Sequence, residues 1–235
     1  MAKKSAPRNN GVGKVRTAVR KTNGTVKAFD GFPKGRPATI QDIAKGGRFV
    51  AEQPPKRLTV KQLLASKSQI VVDVGGGENP TPNSINIDIR DLPTTDIVHD
   101  IEVYPWPLPD GCVDLLIASH VVEHINPARG NFLNWMAEAW RVLKPGGQFL
   151  ISYPYAGSPG FYQDPTHVNN CSERTWFYFD PHHDSRLFSV YRPKPFHIVS
   201  NEYQVTGNAE VRLAKLAVKP EFGCLETQPY QKKAK

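Results

Sequence analysis

The stretch at residues 71–90, VVDVGGGENPTPNSINIDIR, joins two apolar runs through a turn of three consecutive glycines. The first run, QIVVDV at 69–74, is continuous, as expected of a strand that is buried on both faces of a parallel sheet. The second run, SINIDI at 84–89, contains Asp88 near its end. Glycine permits both a sharp turn and close approach of a ligand to the backbone. The stretch therefore predicts a ligand site at the carboxyl ends of two neighbouring strands.

The distance from the glycines to Asp88 restricts the kind of ligand. Dinucleotide sites carry an acidic residue about 20 positions beyond the glycines, after a helix that opens on them and holds the pyrophosphate. Here only 11 positions separate Gly77 from Asp88, and Pro80 and Pro82 lie between them. No ordinary helix fits, and no Gly-Lys-Ser/Thr follows. We expect a ligand with a ribose and no phosphate, with a plain strand–loop junction as the alternative.

The remainder of the chain continues the alternation of strands and helices. LTVKQLLAS (58–66) predicts a short helix, and apolar residues at helical spacing predict a longer one over 132–143, ended by KPGG at 144–147. Further strands are predicted at 95–100, 112–119, 148–153, 196–205 and 209–218. The last two, joined by TGN, indicate a hairpin. The prediction is an α/β fold with a doubly wound, mostly parallel seven-stranded sheet and a C-terminal antiparallel hairpin.

The positive charge of the chain is concentrated at its N-terminus. The whole chain has 30 Lys and Arg residues and a formal net charge of +8. Eight of these basic residues lie in residues 1–29, which contain no Asp or Glu, so this segment accounts for the whole net charge. Residues 30–235 are formally neutral. We expect residues 1–58 to be a basic, Pro/Gly-rich extension, disordered or partner-bound, and residues 59–235 to form the folded domain. Residues 1–29 suit nucleic acid or an acidic partner, and a solvated tail is the alternative.

Composition argues against secreted and membrane-spanning classes. No apolar run approaches the roughly 20 residues of a membrane span, and no apolar segment of a signal peptide follows the first lysines. Cys112, Cys171 and Cys224 are far apart and odd in number, which indicates a reducing compartment rather than a disulfide framework. We expect a cytoplasmic, intracellular protein, and an organellar or virus-encoded origin stays compatible with the basic tail.

Four stretches, in order, resemble the class I S-adenosylmethionine-dependent methyltransferases. They are VVDVGGGENP, INIDI, YPWPLPDGCVDLLIASHVVEHI and EAWRVLKPGGQFLISYP, which together cover roughly residues 69–155. Gly76 stands where Cys or Ser is more usual in the family. The resemblance implies a Rossmann-like methyltransferase fold, S-adenosyl-L-methionine as the cofactor, and methyl transfer to an acceptor that is a small molecule or nucleic acid. The alternative is an inactive binding or assembly protein that retains the fold and uses its basic tail.

The resemblance also implies roles for individual residues. Asp73, Gly75, Gly76 and Gly77 would hold the methionine part of the cofactor, and Asp88 would bind its ribose. The positions expected around the adenine and the transferable methyl group are Ile89, Asp100, Ile101, Ser119 and His120. Glu123 and His124 match a Glu-His pair of the family, for which we expect structural roles: a cap or ion pair for Glu123 and a core histidine for His124.

Catalytic candidates follow the carboxyl ends of predicted strands, because an oxygen nucleophile usually needs a base. They are His120, Asp164, His167 and Tyr155. Asp164 and His167 belong to YQDPTHVNNC (162–171). We expect this stretch to form either an active-site wall or a plain turn. It lies inside a predicted substrate-side insertion at 154–195. That long connection suggests a functional or lid-like segment. His167 and Cys171, with His182 or His183, have a permissible zinc spacing but no paired C-x-x-C, and we expect no metal.

Overall fold

A seven-stranded mixed sheet organises residues 57–225, the part of the chain that the computed structural model describes. The predicted basic tail and nearly all of the 1–58 extension lie outside these residues. The strands are β1 (Val71–Val74), β2 (Ile85–Asp88), β3 (Ile97–Val98), β4 (Val113–Ser119), β5 (Leu143–Pro154), β6 (Phe196–Tyr203) and β7 (Asn208–Lys215). Their order is β3-β2-β1-β4-β5-β7-β6. The first five are mutually parallel, and β7 is antiparallel to β5 and β6, which confirms the predicted fold.

Among residues 57–225 the helices are fewer than the strands. They are α1 (Val60–Ala65), α2 (Asn131–Val142), α3 (Pro159–Tyr162) and α4 (Phe188–Tyr191), with 3₁₀ turns at Val122–His124, Ala128–Gly130, Glu173–Tyr178 and Pro220–Phe222. In α1, Thr59 caps the helix in a reciprocal capping box with Gln62. No helix lies between β1 and β2, as the short link with its two prolines predicts. No helix within residues 57–225 is both long and apolar enough to cross a membrane.

The core lies against one face of β1, β4 and β5. Val72, Val74, Leu116 and Phe149 lie on this face and are fully buried. Leu115, Ile117 and Leu150, on the opposite face, are only partly buried, so the expected burial of both faces is not reached among residues 57–225. On α2, Trp135 packs its ring 5.4 Å from that of Phe149. The predicted helix end is confirmed within a residue, but KPGG does not precede the strand. Instead β5 already begins at Leu143, opposite Val113, and the register shifts before Gln148 pairs with Leu115, so these residues form an irregularity within β5.

The predicted substrate-side insertion at 154–195 is structured in its central part, where a 3₁₀ turn spans Glu173–Tyr178. The indole of Trp176 is fully buried and donates a hydrogen bond to the Tyr153 hydroxyl at 2.7 Å. Phe179 is also buried, with its ring 5.8 Å from that of Phe132 on α2. The aromatic residues there pack against the sheet because buried rings remove large apolar areas from water.

Candidate functional site

A first pocket of about 260 Å³ opens at the carboxyl ends of β1, β2 and β4. Six residues predicted from the sequence line it: Gly75, Asp88, Ile89, Asp100, Ile101 and His120. His124, from the Glu-His pair, also lines it. Four further lining residues were not predicted, although each is adjacent in sequence to a predicted residue or to that pair: Arg90, Glu102, Val121 and Ile125. The volume falls just below the ~300–1,000 Å³ typical of small-molecule sites. Ile89 is 64% exposed, and it offers an apolar surface for a planar ring.

The backbone conformation and the close packing of the turn leave no room for larger residues than glycine at two positions. Gly75 has φ +73°, a conformation that favours glycine, and its N–H donates to the Ile87 carbonyl at 2.7 Å. A Cβ on Gly76 would lie 2.7 Å from Asn86 Oδ1 and 3.1 Å from Asp73 Cγ. The unusual glycine at position 76 therefore has a steric reason, because Asn86 occupies the space that a larger residue would need.

Asp88 is placed at the pocket by the short link that precedes it. Its carboxylate is 5% exposed, and Oδ2 accepts a hydrogen bond from the Gly77 N–H at 3.0 Å. Oδ1 accepts from the Arg90 N–H at 2.8 Å and lies 3.3 Å from Arg90 Nε. Two carboxylate oxygens offer about four lone-pair sites, so Asp88 retains acceptor capacity for a ligand. The Arg90 side chain is 57% exposed.

Asp73 lies behind the glycine turn rather than in the lining of the first pocket. Its carboxylate is 4% exposed, and Oδ2 accepts a hydrogen bond from the Thr81 N–H at 2.7 Å. Oδ1 is buried and has no hydrogen-bond partner among residues 57–225. A buried carboxylate oxygen without a partner is costly. This orphaned oxygen fits a ligand that brings a positively charged amino group to the glycine turn.

A second pocket of about 460 Å³ lies between the ends of β4 and β5 and the β6–β7 hairpin. Ser119, His120 and Ser152 line one side of it. Glu202, Tyr203 and Glu210 lie among the residues on the hairpin side. Ser119, expected in the cofactor site, belongs to this second pocket. His120 lines both pockets.

His120 combines an unusual backbone conformation with a buried carboxylate beside its ring. It is a non-glycine residue at φ +54°, and such strained conformations concentrate at functional sites. Its N–H donates to the Ser152 carbonyl at 2.8 Å, and its Nδ1 lies 3.2 Å from Oε1 of Glu123. The Glu123 side chain is 1% exposed. The carboxylate beside it raises the pKa of His120 above its ordinary value, since it favours the protonated ring.

The other catalytic candidates separate into two places. Asp164 and His167 lie together, with His167 Nε2 3.9 Å from Asp164 Oδ2. Hydrogen bonds from the Thr166 N–H and hydroxyl lower the pKa of Asp164. Tyr155 lies elsewhere: its hydroxyl is 2.6 Å from Glu173 Oε2, an interaction that raises the pKa of Tyr155 to about 12.

One structural expectation is corrected, and one alternative is excluded. His124 is not a core histidine: it is exposed, and its ring meets that of His167 edge-on at 4.8 Å. The zinc alternative through Cys171 also fails. Burial raises the pKa of the Cys171 thiol to about 12. Among residues 57–225, the cluster of potential metal ligands that contains His167 includes neither Cys171 nor His182 or His183.

Comparison with known proteins gives a family match over the same part of the chain. Residues 77–151 match the methyltransferase domain family model. A curated relative from Mycolicibacterium smegmatis (strain ATCC 700084 / mc(2)155), a probable S-adenosylmethionine-dependent methyltransferase by its description, is 39% identical over 62 residues. That match covers 26% of this chain and 22% of the relative, so the chain spans about a fifth of the relative's length.

Solved structures of methyltransferases are similar at low sequence identity. A SAM-dependent methyltransferase from Archaeoglobus fulgidus is 18% identical with a TM-score of 0.46, and the match covers 63% of this chain and 86% of that one. An S-adenosylmethionine-dependent methyltransferase from Mesorhizobium loti is 14% identical with a TM-score of 0.44, covering 66% and 96%. The sequence motifs, the sheet around the glycine turn and the domain match agree on a methyltransferase domain at residues 77–151.

Proposed function

We propose that this protein is an enzyme that transfers a methyl group from S-adenosylmethionine to a small polar acceptor. One observation carries the proposal: His120 lines both the first pocket, at the glycine turn, and the second pocket, beside the hairpin. A residue at the junction of two pockets can contact a cofactor on one side and an acceptor on the other. Methyl transfer is an in-line displacement, and alignment of two bound reactants supplies much of its acceleration.

The cofactor fits the first pocket and the turn behind it. The unpartnered Asp73 Oδ1 would accept from the amino group of its methionine part, next to Gly75–Gly77. Asp88 would accept from the ribose hydroxyls, and Ile89 would pack on the adenine. When bound, the cofactor supplies an electrophilic methyl group on a sulfonium. Asp100, Ile101 and Ser119 remain predictions, the first two on the adenine side and the third beside the methyl group.

His120 would act as the general base towards the acceptor. If Nδ1 carries its hydrogen towards Glu123 Oε1, 3.2 Å away, the lone pair of the neutral ring is on Nε2. That nitrogen would take the proton from an acceptor hydroxyl or amine as its oxygen or nitrogen attacks the methyl group. A positioned base contributes about 10²–10⁴-fold to such steps. Asp164 and His167 lie outside both pocket linings, so they are weaker candidates for the base.

The second pocket favours a neutral or cationic acceptor. Glu202 and Glu210 are directly opposite each other on β6 and β7, and both line the pocket. Like charges at such a pair destabilise a sheet by a few tenths of a kcal/mol to about 1 kcal/mol. A phosphodiester backbone would meet these carboxylates, whereas a polyhydroxyl compound or an amine could bind to them. We therefore propose a small molecule, not nucleic acid, as the methyl acceptor.

The basic tail would then localise the protein by binding another molecule, and it would not bind the methyl acceptor. Residues 1–29 would bind nucleic acid or an acidic partner through salt-dependent charge neutralisation. Deleting them should remove such affinity together with its salt dependence, and retention of both after the deletion would refute the tail hypothesis. We also propose a reducing, cytoplasmic compartment, because Cys112, Cys171 and Cys224 are all unpaired.

Calorimetric titration of the full-length protein with S-adenosylmethionine and with its demethylated product tests the cofactor site. We expect saturable binding that Asp88→Ala weakens tenfold or more, at least about 1.4 kcal/mol. Asp91→Ala is the matched control, because this nearby aspartate is exposed and bonds to Arg57 outside the pocket. Screening small hydroxyl and amine compounds for methylation would follow.

A folded protein that binds neither compound would overturn the proposal. The alternative function, an inactive methyltransferase-fold protein that assembles with a partner through its tail, would then be favoured. Equal cofactor affinity in the wild type and in Asp88→Ala would instead move the cofactor away from the first pocket.

A further inference from the structure

A cluster of potential metal ligands lies beside the first pocket. Glu123, His124 and His167 each offer one ligand atom, and these atoms all lie within 4.8 Å of one another. Two of the residues belong to the turn that follows β4, and the third belongs to the segment that follows β5. The cluster is therefore assembled by the tertiary structure from positions more than 40 residues apart.

The two histidines are held so that one nitrogen of each remains available. The Thr166 hydroxyl donates its single hydrogen to Asp164 Oδ1 at 2.7 Å, so it can only accept from His124 Nδ1 at 3.1 Å. The Phe161 carbonyl accepts from His167 Nδ1 at 2.8 Å. In both neutral rings the lone pair is then on Nε2. Such hydrogen bonds from the second ring nitrogen to an oxygen are characteristic of metal-binding histidines.

Glu123 supplies the second observation that points to a ligand. Its side chain is 1% exposed, and Oε2 has no hydrogen-bond partner among residues 57–225. Oε1 faces the His120 ring, whose Nδ1 lies 3.2 Å away. A buried carboxylate is normally paired, hydrogen-bonded or coordinated to a metal, because its desolvation is costly. A cation between Glu123 and the histidines would satisfy the unpartnered oxygen.

We propose that Glu123, His124 and His167 bind one divalent transition-metal ion of the zinc class. Two imidazole nitrogens and a carboxylate suit such an ion, whereas Mg²⁺ and Ca²⁺ prefer oxygen ligands. Ligands about 2.1 Å from a tetrahedral zinc ion lie about 3.4 Å apart. The three side chains thus need to close by roughly 1 Å, a small rotation for the exposed His124. Asp164, 3.9 Å from His167 Nε2, lies at the edge of the cluster.

The ion would fasten the DPTH segment to the turn after β4. The Val168 and Asn169 N–H groups already donate to the Glu123 carbonyl, at 2.9 and 3.0 Å. The Asn169 side chain donates to the Val122 carbonyl at 3.0 Å. Since His124 also lines the first pocket, the metal would hold one wall of that pocket in place. This role does not depend on methyl transfer.

Metal titration of the full-length, chelator-treated protein tests the proposal without cofactor or acceptor. We expect one equivalent of Zn²⁺ to bind, Co²⁺ to give a ligand-field absorption spectrum that Zn²⁺ abolishes, and Mg²⁺ not to compete. His124→Ala and His167→Ala should each lower the Zn²⁺ affinity at least tenfold. His182→Ala is the control, because this exposed histidine belongs to the same 154–195 segment and its ring contacts Phe222 instead.

Several outcomes would overturn the proposal. Absence of Zn²⁺ binding, or unchanged affinity and stoichiometry in both histidine variants, would show that the cluster holds no metal. An equal loss in His182→Ala would indicate nonspecific binding by surface histidines. If His167→Ala fails to fold, His124→Ala decides the question, since this side chain is exposed and its ring contact is with His167, inside the cluster itself. Retained cofactor binding with no Zn²⁺ binding would refute this inference while leaving the proposed function intact.

Discussion

The two pockets that meet at His120 are built from different kinds of sequence. In the first, Gly75, Asp88 and Ile101 end three successive strand units within about 30 residues of chain, so a local motif places them together. In the second, Ser119, Ser152, Glu210 and Glu202 form one row across β4, β5, β7 and β6. That row depends on the register of three strand pairs. The first pocket can therefore be found in the sequence, whereas the second appears only once the sheet is formed.

Removing His120 should have the largest effect, because it acts on both pockets. We expect His120→Asn to lower the rate of methyl transfer by about 100-fold or more, the lower bound for losing a general base. The dissociation constant of the cofactor should change less than about threefold, since Asp88 and the glycine turn remain. Steady-state kinetics and calorimetry measure the two quantities. A rate that is nearly unchanged would assign the base to another residue.

Gly76→Ala tests the close packing of the first pocket. A Cβ there would lie 2.7 Å from Asn86 Oδ1 and 3.0 Å from Pro80 Cβ. Overpacking of this kind costs about 1–3 kcal/mol, which urea unfolding would measure. Gly160→Ala is the control, because its Cβ would meet Pro154 Cβ at an ordinary 3.7 Å. Equal stabilities of the two variants would mean that the turn can relax around the added methyl group.

Glu210→Gln tests whether the second pocket binds the acceptor through its carboxylates. We expect the KM for the acceptor to change by up to about tenfold, because one charged hydrogen bond is typically worth about 1.5–3 kcal/mol and this side chain is exposed. Cofactor affinity should be unaffected. Glu221→Gln, in an exposed residue paired with Lys219 outside the pocket, provides the comparison. An unchanged KM in Glu210→Gln would exclude that carboxylate from acceptor binding.

Tyr155→Phe should have the smallest effect on methyl transfer. Its hydroxyl bonds to Glu173 and its pKa is raised to about 12, so the phenol stays protonated at neutral pH and cannot act as a base there. We expect a rate change below about threefold and a loss of stability of about 1 kcal/mol from the missing hydrogen bond. A rate loss as large as that of His120→Asn would restore Tyr155 as a catalytic candidate.

Features that depend on local sequence could be predicted, whereas features that depend on contacts across the sheet could not. Asp88 follows a continuous apolar run and a proline-containing link, and both features act locally, so its position could be predicted. The KPGG irregularity could not be, because it depends on Val113 pairing with Leu143 across the sheet. Trp176 lies in a segment without periodicity, and its burial depends on Tyr153 lying beside it.

The sequence by itself determined the sheet, the glycine turn with Asp88, and the concentration of positive charge in residues 1–29. These features depend on local periodicity, backbone freedom and composition, which are properties of contiguous residues. Only the tertiary structure decided that His120 joins two pockets, that Glu202 and Glu210 line the second, and that Glu123 and His124 approach His167. Those arrangements depend on strand register and on the path of the chain after β5. Their members lie far apart in sequence, and each has a spacing that is ordinary on its own.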